Sequence, residues 1–178
     1  NTLIIFASDN GAAIQAPIKI LNCNAGFKGR KGTLYEGGIR VPFIVNQPGM
    51  VPIQTLDNLI YFPDMMPTLA ALAKGTKHLP KQINGINILP LFYGKQVDTD
   101  NRLLYWEFPG KQRAARKGDW KCVTIHPNQP LELYNLKEDP EETNNLAKKY
   151  PRRVKEFDEE MQRMHIPTPN WPQPGEQF

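Results

Sequence analysis

The sequence contains few of the residues from which common catalytic and metal sites are built. It has two cysteines, Cys23 and Cys122, and neither lies in a CxxC pair. No zinc or redox framework is therefore indicated, although a single disulfide between them stays open. Ser8 is the only serine, and it precedes an acid instead of occupying the Gly-x-Ser-x-Gly turn of a serine hydrolase. The three histidines lie in loops or near proline without a visible partner, which favours structural roles.

Long hydrophobic runs and a strong charge of one sign are absent as well. No apolar run approaches the roughly 18 residues of a membrane span, so none is predicted. The 178 residues carry a net charge of +4, and the basic residues are scattered apart from clusters at 28–31 and 113–121. Nucleic-acid binding is not favoured, because it usually needs a denser basic stripe with interleaved aromatics. A small anionic ligand suits the first cluster better.

The length suits one medium domain or slightly more, and the 40% of hydrophobic residues is enough for a packed core. The sequence begins without methionine and directly on a strand that reads as buried, which is rare for a whole protein. We therefore expect the chain to be a piece of a larger protein.

The first half alternates apolar segments with a long loop. The continuous apolar run Leu3–Phe6 predicts a strand buried on both faces, as in a parallel sheet. Residues 11–38 read as a long loop, Ile39–Val45 as a second strand, and Asn58–Ala73 as a helix with Pro67 in its first turn. This order predicts an α/β layer architecture for residues 1–95.

The second half, residues 96–178, has the pattern of a small α+β subdomain. The helix is predicted over Pro151–Met164, where apolar residues recur at helical spacing. Short runs typical of antiparallel strands precede it. These runs are Leu103–Phe108, Gln112–Arg116, Trp120–Ile125 and Leu131–Tyr134.

Asp9 and Asn10 follow the first predicted strand, at the end where open α/β sheets place their ligands. Their side chains offer the hard oxygen donors that Ca²⁺ and Mg²⁺ prefer, but two donors cannot complete a shell of six to eight. The same Ser-Asp-Asn-Gly sequence readily forms an Asx-turn. Both interpretations stay open from the local sequence.

Lys31 precedes a glycine-punctuated segment that ends in Glu36 and two glycines. Glycines let a backbone approach a ligand closely, and a lysine there suits phosphate or sulfate oxygens. A solvent-exposed loop lysine is the alternative. Glu36 and Arg40 are predicted to form an ion pair that braces the loop. Residues 139–145 superficially resemble a calcium loop, but they read more simply as a helix-capping turn.

Taken in order, six stretches resemble the C-terminal part of the sulfatase family, the arylsulfatase-like enzymes of the alkaline phosphatase superfamily. Their order and spacing extend over nearly the whole chain. The stretches are Ile4–Gly11, Lys31–Pro42, Asp64–Ala73, Asn84–Leu91, Arg113–Lys121 and Glu132–Ala147.

The resemblance implies an alkaline-phosphatase-like α/β sandwich that ends in a small antiparallel sheet with a packed C-terminal helix. It implies that Asp9 and Asn10 are calcium ligands and that Lys31 is a catalytic residue that binds the sulfate. The family's formylglycine nucleophile arises in a Cys/Ser-x-Pro-x-Arg motif, and neither cysteine nor Ser8 fits that motif.

We therefore expect the nucleophile and the other calcium ligands to lie in a missing N-terminal part of the same protein, and this chain to be inactive alone. The resemblance also implies a sulfate ester substrate, such as a sulfated sugar, and an extracytoplasmic location, periplasmic or secreted. Two alternatives stay open: a non-catalytic binding or assembly subunit, and a phosphoryl-transfer member of the same superfamily.

Overall fold

The computed structural model describes residues 2–13, 15–16, 18–108, 112–126, 128–170, 172 and 177. By spatial contacts the chain divides into two compact units. Unit 1 comprises residues 1–7 and 42–102, and unit 2 comprises residues 8–41 and 103–178. The units follow contacts in space, and the predicted domain boundary near residue 95 stays a prediction.

Six strands and five helices are described. The strands are β1 (Ile4–Ala7), β2 (Phe43–Asn46), β3 (Leu103–Phe108), β4 (Gln112–Lys117), β5 (Trp120–Thr124) and β6 (Glu132–Asn135). The helices are α1 (Ile18–Leu21), α2 (Glu36–Ile39), α3 (Met65–Leu72), α4 (Leu89–Phe92) and α5 (Pro151–Met164), with 3₁₀ turns at Phe62–Asp64 and Thr76–His78.

Unit 1 contains a two-stranded sheet whose arrangement differs from the predicted one. β1 pairs antiparallel with β2, with Phe6 opposite Ile44. On one face of this sheet, Ile5, Phe43 and Val45 pack in a cluster with residues of α4. On the other face, Ile4 and Phe6 are 58% and 60% exposed. The expectation of a parallel strand buried on both faces was therefore wrong, because α4 covers only one face.

The helical segment of unit 1 is shorter than predicted. Of the expected helix Asn58–Ala73, only Phe62–Asp64 and α3 are helical. Asp64 accounts for the start, because its carboxylate accepts a hydrogen bond of 3.0 Å from the Tyr61 backbone N–H. Pro67 lies in the first turn of α3, where its missing N–H has no helical partner to lose.

Unit 2 is built on a four-stranded antiparallel sheet in the order β3-β4-β5-β6. The four predicted strands are present with bounds that shift by at most one residue, and α5 has the predicted bounds. Gly118, with φ of +54°, lies in the turn that joins β4 to β5. The predicted small antiparallel sheet with a packed helix is confirmed.

Both faces of the unit 2 sheet are covered, one by α5 and the other by the loop of residues 28–38. One face packs Ala115, Cys122 and Leu133 against Phe157 and Met161 of α5. The opposite face, which we call the loop face, packs against residues of the loop and of α2 in one buried cluster. That cluster contains Leu34, Tyr35, Ala114, Val123, Tyr134 and Leu136.

Two further expectations for the first half needed correction. Residues 11–38 are mostly turns, as predicted, but they also include α1 and the start of α2. Ile39 belongs to α2 and not to the second strand, which begins at Phe43. The reason is that Ile39 packs with the loop against the unit 2 sheet, so the strand starts only after Pro42.

Candidate functional site

Asp9 and Asn10 directly follow β1 in the sequence. The Asp9 side chain is exposed and that of Asn10 is partly exposed, so their oxygens are accessible. The Ser8 hydroxyl donates a hydrogen bond of 2.9 Å to the Asn10 carbonyl and fixes the local turn. The structure therefore shows a tight polar turn with two accessible oxygen-bearing side chains.

Lys31 is exposed and belongs to the same compact unit as Asp9. Its backbone N–H donates a hydrogen bond of 2.9 Å to the carbonyl of Ala12. A second bond of 2.9 Å runs from the Gly11 N–H to the carbonyl of Gly38. The two sequence motifs, separated by about 20 residues, are thus joined through their backbones.

The join depends on glycine. A Cβ atom on Gly11 would lie 1.9 Å from the carbonyl oxygen of Gly37, and a Cβ on Gly38 would lie 2.1 Å from the carbonyl oxygen of Thr33. Both distances are far inside van der Waals contact, and the opposing atoms are backbone. Because Gly11 and Gly38 have no side chains, the backbone segments at residues 11, 33 and 37–38 can approach one another this closely.

Polar side chains of the loop face hold the Lys31 loop against the sheet. The Gln112 amide donates a hydrogen bond of 2.9 Å to the carbonyl of Gly32, the residue after Lys31. The Lys28 ammonium lies 4.0 Å from the centroid of the Tyr35 ring and 3.3 Å from the Glu132 carboxylate. Specific polar contacts thus tie the loop to β4 through Gln112 and to β6 through Glu132.

Three side chains contact the Glu132 carboxylate, those of Lys28, Tyr35 and Tyr134. Glu132 Oε2 accepts hydrogen bonds of 2.7 Å from the Tyr35 hydroxyl and 2.6 Å from the Tyr134 hydroxyl. Burial works to raise the pKa of Glu132, but these two hydroxyls and Lys28 outweigh it and lower that pKa. The carboxylate is therefore held in its charged form.

A buried ionic cluster lies beneath the turn at Glu36. Lys121 of β5 is fully buried, and its Nζ lies 2.9 Å from Glu36 Oε1 and 2.9 Å from Glu142 Oε1. Glu142 Oε2 accepts a hydrogen bond of 2.7 Å from the backbone N–H of Glu36. The predicted Glu36–Arg40 ion pair is present at 3.6 Å, but Lys121 is the closer partner.

The two carboxylates of this cluster differ in their pKa shifts. Burial acts to raise the pKa of Glu36, but Lys121, Arg116 and Arg40 outweigh it and lower that pKa. Burial raises the pKa of Glu142, and the shared lysine only partly opposes this. Within the described residues, Glu142 Oε1 has the ionic contact with Lys121 but no well-directed hydrogen bond.

Comparisons with known proteins decide the family. The family model described as N-sulphoglucosamine sulphohydrolase, C-terminal, matches residues 27–166. The chain belongs to the sulfatase family. The matched range includes Lys31, whereas Asp9 and Asn10 precede it.

Individual relatives agree with this assignment. A sulfatase of Formosa agariphila is 33% identical over 85% of this chain and 30% of its own length. An N-acetylgalactosamine-6-O-sulfatase of Bacteroides thetaiotaomicron is 30% identical over 89% of this chain and 35% of its own length. The sulfatase chain thus spans about a third of the length of the curated relatives it matches.

A solved structure supports the fold. A protein from work on the metabolism of multiple glycosaminoglycans by Bacteroides thetaiotaomicron matches 92% of this chain and 38% of its own, at 29% identity and a TM-score of 0.79. The structural neighbours are sulfatases with an alkaline-phosphatase-like fold. The predicted fold class is thereby confirmed.

Several residues of the sulfatase chain were not singled out from its sequence. Lys121 was grouped only with the basic residues of 113–121, and Glu142 only with the turn of residues 139–145, because their partners are distant along the chain. His165 has a partner that the sequence did not reveal, since its Nδ1 lies 2.5 Å from Glu107 Oε1. Residues 139–145 form a turn around Asp139, as predicted, but they cap no helix, because α5 begins only at Pro151.

Disulfides, metal-binding clusters and membrane-spanning helices are each absent from the described residues. Both cysteines are free thiols, so no disulfide joins them. Within the described residues, no group of three or more histidine, cysteine or acidic side chains is arranged to hold a metal ion. No helix among those residues is long and apolar enough to cross a bilayer.

Proposed function

We propose that this chain is the C-terminal part of a sulfatase that hydrolyses sulfate esters, in which Lys31 contacts the sulfate group. One observation carries the proposal: the backbone bonds Lys31 N–Ala12 O and Gly11 N–Gly38 O join the lysine loop to the turn that contains Asp9 and Asn10. Membership of the sulfatase family supports the reaction class.

Lys31 has properties suited to this role. Hydrolysis of a sulfate ester breaks an S–O bond, and negative charge develops on the departing oxygen while the sulfuryl oxygens remain anionic. An exposed ammonium on a loop held by Gln112 and the glycine turn can orient the sulfate and neutralise part of this charge. The bonds that hold the loop reduce the reorganisation needed when substrate binds.

We further propose that Asp9 and Asn10 contribute to a calcium site. A carboxylate and a carboxamide oxygen, both accessible, fit the preference of Ca²⁺ for hard oxygen donors. When bound, the ion would supply additional positive charge near the sulfate oxygens. Two residues provide too few ligands, so the others and the formylglycine nucleophile are assigned to a part of the intact protein outside this chain.

The substrate class proposed is a sulfated sugar. One relative at 30% identity is an N-acetylgalactosamine-6-O-sulfatase, and this supports a carbohydrate sulfate as the natural substrate. The extracytoplasmic location proposed for the intact protein, periplasmic or secreted, rests on the family resemblance alone.

Turnover of a chromogenic aryl sulfate and of N-acetylgalactosamine 6-sulfate tests the proposal. The intact protein that carries this chain is expected to hydrolyse at least one of them, and the 178-residue chain alone neither. Lys31→Ala in the intact protein should lower kcat by about 10²–10³-fold, the usual loss when a charge-stabilising group is removed. Lys117→Ala, at an exposed lysine that ends β4 in the same unit, is the matched control and should retain activity.

The alternatives give different results. Binding of sulfated sugar by the intact protein without any turnover would favour a non-catalytic subunit. Faster cleavage of phosphate esters than of sulfate esters would favour a phosphoryl-transfer enzyme. Robust sulfatase activity of the 178-residue chain alone would contradict the proposal that the nucleophile lies elsewhere.

A further inference from the structure

The buried cluster of Glu36, Lys121 and Glu142 is weak evidence for a purely stabilising role. A fully buried lysine between two buried carboxylates loses the hydration of three charged groups. Apolar residues of similar volume often stabilise a fold equally well, so a cluster of this kind is better explained by the geometry it enforces. The neighbours of Glu36 show which geometry that is.

Glu36 begins α2, and the two residues after Glu36 form backbone hydrogen bonds to both candidate motifs. The next residue, Gly37, donates a hydrogen bond of 2.7 Å from its N–H to the carbonyl of Lys28, at the start of the lysine loop. Gly38 accepts the bond from Gly11, beside the Asp9–Asn10 turn. A displacement of Glu36 would therefore move the backbone on which both motifs rest.

Glu142 holds Glu36 from a rigid turn. Its backbone has φ of +56°, a conformation that non-glycine residues rarely adopt and that persists only when the surroundings enforce it. Asp139 provides the enforcement, because its carboxylate accepts hydrogen bonds of 3.0 Å and 2.8 Å from the N–H groups of Thr143 and Asn144. The backbone from which the Glu142 carboxylate reaches the Glu36 N–H is thus held in place.

We infer that Lys121 and Glu142 are positioning residues for the Lys31 loop: they fix the turn at Glu36–Gly38, and through its backbone bonds they set where Lys31 lies relative to Asp9 and Asn10. The inference rests on the proposed function for what Lys31 binds, whereas the positioning itself is a property of the chain.

Residue-specific amide hydrogen exchange on the 178-residue chain tests the positioning. In Glu142→Gln, which keeps the side-chain size but removes the charge, the amides of Gly11, Lys31 and Gly37 should exchange about tenfold faster. The amides in the β3–β6 ladders should be accelerated much less. Lys117→Met, an exposed lysine at the end of β4, is the control and should leave all of these amides unchanged.

Lys121→Met provides a second variant with the same expected pattern and a larger effect. If it does not fold, Glu142→Gln alone decides. Equal acceleration across the loop and the sheet would show a purely structural role and overturn the inference. Unchanged exchange at Lys31 and Gly37 in Glu142→Gln would overturn it too.

A double-mutant cycle in the intact protein tests whether the positioning reaches the reaction. Glu142→Gln should lower kcat for the sulfate ester about tenfold when Lys31 is present, and should have no further effect when it is combined with Lys31→Ala. Additive losses would overturn the link to Lys31. If no variant, including the unmodified protein, turns over sulfate esters, the proposed function fails, and the exchange pattern still decides the positioning.

Discussion

The N–H of Gly11 donates a hydrogen bond of 2.9 Å to the carbonyl of Gly38, and this bond joins the Asp9–Asn10 turn to the Lys31 loop. The approach is so close that a Cβ on Gly11 would lie 1.9 Å from the Gly37 oxygen. Backbone opposes this Cβ, so no side-chain rotation can relieve the contact. The two motifs can therefore be joined in this way only when residue 11 is glycine.

Gly11→Ala should break this join. We expect a loss of stability of about 1–3 kcal/mol, the typical cost of overpacking, together with faster exchange of the Lys31 amide. Gly75→Ala is the matched control, because a Cβ there meets its nearest atom at an ordinary 3.8 Å. Thermal unfolding and amide exchange measure both effects, and equal stability of the two variants would contradict the prediction.

Asp64→Asn should destabilise the protein by about 3–5 kcal/mol, because it leaves the partly buried Arg102 without its counter-charge. Arg102 donates hydrogen bonds of 2.6 and 2.7 Å to the two oxygens of this fully buried carboxylate. The N–H groups of Tyr61 and Ile86 also bond to it, so it ties three segments of unit 1 together.

Chemical denaturation followed by far-UV circular dichroism measures the cost of Asp64→Asn. Asp57→Asn is the control, since that side chain is exposed and should change the free energy of unfolding little. A cost for Asp64→Asn no larger than that of the control would show that Asp64 is not essential to unit 1.

Glu132→Gln should make the protein less sensitive to acid. The pKa of Glu132 is lowered from the ordinary value of 4.5, so its stabilising contribution is complete above that value and is lost as the pH falls through the folded-state pKa. The unmodified protein should therefore lose more of its Tm between about pH 5 and pH 3 than the variant does. Parallel Tm profiles would contradict this assignment, and Glu138→Gln, on an exposed carboxylate, should follow the unmodified profile.

The two cysteines should differ in reactivity. Cys23 is exposed, whereas Cys122 is fully buried and burial raises the pKa of its thiol to about 12. Because the thiolate is the reactive form, a thiol reagent should titrate one cysteine in the native protein and two in denaturant. Cys23→Ala should abolish the native reaction. Rapid native reaction of that variant would show that the α5 face of the sheet opens readily.

The predictions from sequence were most accurate for unit 2. The bounds of β3 and α5 were predicted without error, because periodicity and tight turns are local properties that the sequence displays directly. The first half was harder to predict. A continuous apolar run such as Leu3–Phe6 indicates a strand but carries no information on whether its partner is parallel or antiparallel, and β2 proved antiparallel.

The sequence by itself determined the strands and helix of unit 2 and, through the order of its motifs, membership of the sulfatase family. Only the tertiary structure decided that Lys121 and Glu142 are buried and that the Asp9–Asn10 turn meets the Lys31 loop. The physical reason is distance along the chain. The sequence alone does not distinguish a solvent-exposed lysine from one that, after folding, contacts a carboxylate 85 residues away.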